Sequence, residues 1–174
     1  MLLGAAVLAA CGFTAADAPP SPTATREYHV RAVDPRVREW IRLGAAGSPT
    51  FNELLNRLAA SDVIVYVQVV DRIPGGADGQ IFFVTSTDTA RYLRIEIEDR
   101  GRPFAKVSLL GHELQHAVEI AGAPRVRDSQ AMATMYLRVG DPSAWYDSPA
   151  ARLVGERVRD ELARTRDRSG APTQ

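Results

Sequence analysis

The feature that most restricts the fold is a change of hydrophobic period in the middle of the chain. Residues 62 to 71, "DVIVYVQVVD", are a nearly continuous run of β-branched and aromatic residues, the pattern of a strand covered on both faces. Such a strand belongs at the centre of a sheet. After the polar loop "RIPGGADGQ" come "IFFVTS" and then "RYLRIEIED", where Leu93, Ile95 and Ile97 alternate with Arg94, Glu96 and Glu98. That strand has one dry and one wet face. Three strands with short connections predict an antiparallel meander, within a small antiparallel or mixed sheet.

Helical signals flank the strands. Asp34-Pro35, Ser48-Pro49 and Ser148-Pro149 each set a capping side chain before a proline at the first helical position. Val37, Trp40 and Ile41 give the first helix an apolar stripe, and Phe51, Leu54, Leu55 and Leu58 give the second a clearer one. Pro103 opens a further helix that Gly122 and Pro124 close. Helices on both sides of a run of strands define an α+β class, and 174 residues suit one domain. That domain is expected over residues 27 to 166, after a Pro-rich tether at 12 to 26, "GFTAADAPPSPTATR", and before a frayed tail at 167 to 174.

Charge narrows the partners. Lys+Arg 21 against Asp+Glu 21 leaves a formal net charge of +0, which gives no support to nucleic-acid binding. The first residues, "MLLGAAVLAAC", end in Leu8-Ala9-Ala10 before Cys11, the only cysteine. This resembles a bacterial lipoprotein signal. The resemblance implies cleavage before Cys11, lipidation of its thiol and an extracytoplasmic domain that meets the membrane only through that anchor. The apolar run is too short to span a bilayer, which takes about 20 residues.

The chemistry is concentrated in "LLGHELQHAVEI", residues 109 to 120, which holds two of the three histidines. At ~100° per residue Ser108, His112, His116 and Glu119 share one stripe of the helix, and Leu110, Leu114, Ala117, Val118 and Ala121 take the opposite one. Spacing of four puts both imidazoles within reach of one tetrahedral ion, with Glu113 beside the open position as a base for water. Gly111 in mid-helix costs about 1 kcal/mol against alanine, which close approach by a neighbouring element would explain.

The motif resembles the zincin metallopeptidases, and "HELQHAV" looks most like the thermolysin-like variety. The resemblance implies zinc, ligated by His112 and His116, with Glu113 as general base in the hydrolysis of a peptide or protein substrate. It also implies that the strand before the active helix, residues 90 to 98, is an edge that pairs with extended substrate. A metzincin ligand set is excluded, because Glu119 and Gly122 stand where its glycine and third histidine belong. An acidic third ligand, as in gluzincin or aspzincin families, is the better expectation. Asp147, just before the Ser148-Pro149 helix start, is the first candidate. That helix is expected to pack on the active helix through Leu153, Val154, Val158 and Leu162. Glu119 is second, as ligand or as a group orienting a histidine, and Glu161 is third. Tyr136 and Tyr146 are candidate oxyanion donors. Two readings stand beside the enzyme: a catalytically idle zincin-like binding domain, and a helix whose histidines are only its polar face.

The anchor has a direct test. Cys11→Ser is expected to move the expressed full-length chain from the membrane to the soluble fraction and to abolish incorporation of radiolabelled palmitate.

Overall fold

The computed structural model describes residues 29–141, 147–168 and 170. The signal with Cys11, the tether, Tyr146 and most of the tail lie outside the described residues. In chain order the elements are β1 (Val30–Ala32), α1 (Pro35–Gly47), α2 (Pro49–Ala59), β2 (Val63–Val70), β3 (Gly79–Ser86), β4 (Arg91–Glu98), α3 (Pro103–Ala121), α4 (Ser129–Val139) and α5 (Pro149–Arg168). The class is α+β. The helix α5 runs through Arg168, so the structured part extends two residues beyond the expected boundary at 166.

All three predicted caps form. Asp34 accepts from Arg36 N at 2.8 Å, Ser48 Oγ from Phe51 N at 3.0 Å and Ser148 Oγ from Ala151 N at 3.0 Å. Each satisfies a backbone donor that the helix itself leaves unpaired. The predicted stripe of α2 is wholly buried, and α1 buries Val37 and Trp40.

The sheet is mixed, with strand order β1-β2-β4-β3. β1 and β2 are parallel, β2 and β4 are parallel, and only β3 with β4 is antiparallel. This corrects the meander: β4 takes the place beside β2 that a meander gives β3, and residues 90 to 98 are central rather than an edge. Burial explains the exchange. Leu93, Ile95 and Ile97 of β4 are fully buried, whereas β3 exposes Val84 and Thr85 and loses register between Phe83 and Thr85. The driest strand goes to the middle. The β2 strand is central as predicted, but its second face is fully covered only at Ile64, while Tyr66 and Gln68 are half-buried. The helices pack on the face formed by Val63, Val65, Val67, Leu93, Ile95 and Ile97.

One buried cation ties the histidine-bearing helix α3 to this sheet. Arg91, the first residue of β4, is 1% exposed. Its Nε and Nη2 donate to the two oxygens of Asp62 at 2.8 and 2.5 Å. Nη1 donates to the carbonyls of Ile120, Ala123 and Val126, and Nη2 to that of Ala121. The terminal carbonyls of a helix have no intrahelical partner. Arg91 satisfies those of α3 from the sheet below.

Replacing Arg91 by Met keeps the bulk and removes every donor. The expected loss is about 3 to 5 kcal/mol of unfolding free energy, because a buried network is broken on one side. Urea denaturation measures it.

Candidate metal centre

Helix α3 is buried on far more than one side. Leu110, Leu114, Ala117 and Val118 face the core, while Gly111 and His112 face α5. The two helices approach closely because their contact is lined by glycine. A Cβ on Gly111 would meet Val158 Cγ2 at 3.0 Å, and one on Gly155 would meet His112 Cβ at 3.2 Å. Ser108 Oγ adds a hydrogen bond to the Gly155 carbonyl at 2.7 Å. The mid-helix glycine is thus explained by a neighbouring helix. The predicted packing stripe of α5 holds at Val158 and Leu162, which are buried, and at Val154, which is half-buried, but Leu153 is exposed, and Ala151 and Gly155 are buried in its stead.

Antiparallel packing of α5 on α3 carries the start of α5 to the histidines. Asp147 Oδ1 lies 3.3 Å from His112 Nε2 and 3.1 Å from His116 Nε2. One ligand atom from each of His112, His116 and Asp147 lies within 4.8 Å of the other two, so the group could hold a metal ion. The buried Asp147 Oδ1 has no aligned hydrogen-bond donor despite these short approaches. An unpaired buried carboxylate oxygen is costly. Three donor atoms aimed at a shared point rather than at one another fit a cation.

Electrostatics agree. Burial pushes the His116 imidazole down, but the close carboxylates of Asp147 and Glu119 outweigh it and hold it at about 9. A proton there takes up the positive charge that the pocket favours. Burial, with a smaller contribution from His116, lowers His112 despite the opposing carboxylate of Asp147, and so favours the neutral imidazole that a metal requires. Burial raises Asp147, but the two histidines and Arg152 leave it below the usual carboxylate range.

Glu119 holds the site from behind. It accepts from His116 Nδ1 at 3.0 Å, Ser148 Oγ at 2.5 Å and Tyr136 Oη at 3.2 Å. Fixing Nδ1 in this way turns Nε2 toward Asp147. Glu119 therefore orients a ligand rather than serving as one. Tyr136 also donates to the His116 carbonyl at 3.3 Å, and its ring stands edge-on to the imidazole. Its hydroxyl thus lies against Glu119 and the His116 backbone. Glu161 lies apart from the histidines: it accepts from Ser48 Oγ and from Thr50 N and Oγ1, at the start of α2. His29 contacts the Val63 carbonyl, away from this cluster.

Glu113 faces the sheet. Its carboxyl packs under the first residue of β3, where a Cβ on Gly79 would stand 2.7 Å from Oε1. An alanine at 79 would fit only by displacing the Glu113 carboxyl. Sequence reasoning did not single out Gly79, because "GGADG" reads equally well as an ordinary loop. Burial, reinforced by Asp147 and opposed by His116, raises Glu113 from 4.5 to about 7. No family model, curated protein or solved structure matches the chain.

The raised carboxyl fixes a sign. In metal-free protein its contribution to stability is fully present below pH 4.5 and is lost as pH rises through about 7, since the folded state holds the proton longer. Glu113→Gln removes this dependence. Under chelation the variant is expected to match wild type near pH 4 and to exceed it by about 3 kcal/mol near pH 8 in urea unfolding.

Proposed function

We propose that the chain is a zinc-dependent peptide-bond hydrolase. The observation that carries this reading is the buried Asp147 oxygen that no aligned donor reaches, between two imidazoles four residues apart, with a buried glutamate following the first of them. Two imidazoles and one carboxylate form a three-ligand set that leaves a position open, as catalytic zinc sites do. Zinc suits two nitrogen donors and one oxygen donor better than calcium or magnesium, which favour oxygen alone.

When bound, such an ion supplies Lewis acidity that activates water near neutral pH and polarises a carbonyl. The residues of the chain do the rest. Glu113 accepts the proton released by water and returns it to the departing amine. Its raised proton affinity in the metal-free pocket suits a group that must both take and give a proton. Glu119 and Tyr136 keep His116 in one orientation. The free edge of β3, beside Glu113 at Gly79, is the surface on which an extended peptide would lie.

Elemental analysis and a peptide assay test the reading together. Wild type is expected to hold about one zinc per chain, His112→Ala none, and Asp147→Ala zinc that is lost at low chelator concentration. Glu113→Gln is expected to keep the metal and lose at least about a hundredfold in kcat. A wild-type protein that takes up no zinc after dialysis against it overturns the proposal.

A further inference from the structure

The outer edge of β3 is only half open. Glu98 N donates to the Asp78 carbonyl at 2.9 Å, so the main-chain groups of Asp78 face β4. Alternation along an antiparallel strand then turns those of Gly79, Ile81 and Phe83 away from it. Phe83 bears this out, because its carbonyl accepts from Ser129 Oγ, on the first residue of α4, at 3.4 Å. From Phe83 onward the edge is occupied. The register breaks around Val84, Ser86 Oγ donates to the Arg127 carbonyl at 2.8 Å, and Arg127 Nη2 donates to the Thr87 carbonyl. Residues 127 to 129 therefore run along the second half of the strand. Among the described residues of this edge, Gly79 and Ile81 alone keep outward N–H and C=O groups, and Gly79 is the residue under which Glu113 packs.

We propose that the site removes short fragments from the free N-terminal end of an extended peptide and does not cut within long chains. This rests on the hydrolase reading above. Antiparallel pairing is the more stable arrangement per residue, and a guest strand antiparallel to β3 runs from the Phe83 end toward the Gly79 end. Its N-terminal side then points at Ser129 and Arg127, where no ladder can continue. At about 3.4 Å per residue the open stretch from Gly79 to Phe83 takes roughly three guest residues. Beyond Gly79 the chain turns away through Asp78, and the C-terminal side of the guest meets no such barrier on the edge. In the reaction the water oxygen bonds to the carbonyl carbon, the C–N bond breaks and the departing amine gains the proton.

The test uses zinc-loaded full-length protein and a mixed-sequence library of peptides about twelve residues long. Each peptide is offered with a free N-terminus and, separately, fused behind a folded domain, and products are read by mass spectrometry. Release of fragments of one to three residues from the free N-terminus, with at least about a hundredfold lower kcat/KM for the fused form, is the expected result. Cleavage in the middle of the fused peptides, or release of short C-terminal fragments only, overturns this inference and leaves the hydrolase reading standing. No cleavage of any peptide by protein that holds stoichiometric zinc overturns both. Ile81→Pro supplies a second measurement: its N–H faces outward, so the ladder to β4 is kept while a donor to the guest is lost. The expected result is a rise in KM of about tenfold with zinc content unchanged; an unchanged KM in the folded variant overturns the pairing.

Discussion

The close contact of α3 with α5 is what the rest of the site depends on. Neither helix carries the whole ligand set: the imidazoles belong to α3, and the carboxylate precedes α5. Gly111 and Gly155 let the two backbones approach, and Val158 fills the groove that Gly111 leaves. Because packed interfaces are not continuously deformable, this contact sets the distance from Asp147 to the histidines. A bulkier side chain at either glycine would push the ligand away without touching it.

Around that contact, the polar groups are arranged so that one carboxylate serves several elements. Glu119 joins His116 on its own helix to Tyr136 of α4 and to Ser148, the cap of α5. Ser148 therefore does two things at once: it satisfies the first turn of α5 and fixes that turn to the back of the metal centre. Arg91 plays the corresponding part at the far end of α3. Helix α3 is held at its end by the sheet and along its side by a helix, so its imidazoles have little freedom to drift.

Much of this was legible in the sequence where local chemistry decides the outcome. The Asp-Pro and Ser-Pro pairs marked the helix starts, the alternation in residues 93 to 98 marked a two-faced strand, and histidines four apart marked the stripe that meets Asp147. What could not be read depends on long-range competition. Strand order follows from which strand can be driest on one face, and neither "IFFVTS" nor "RYLRIEIED" shows which of them lies beside β2 until the burial of Leu93, Ile95 and Ile97 is known. Arg91 reads as a surface arginine at a strand start, since its partners lie 29 or more residues away. Tyr136 and Glu161 are polar groups on helices, and only the fold reveals that each is spent on a neighbour. Gly79 carries no signal at all beyond its loop.

The isolated bridge between Asp141 and Asp147, with Asp141 N donating to the Asp147 carbonyl at 2.9 Å, pinches the chain on both sides of residues 142–146. Arg152 grips the same pinch through Asp141 at 3.1 Å. The carboxylate beside the histidines is thereby fixed at its own backbone as well as by the helix that follows it. A substitution that broke the bridge would free the Asp147 backbone while leaving both imidazoles, on their own helix, where they are.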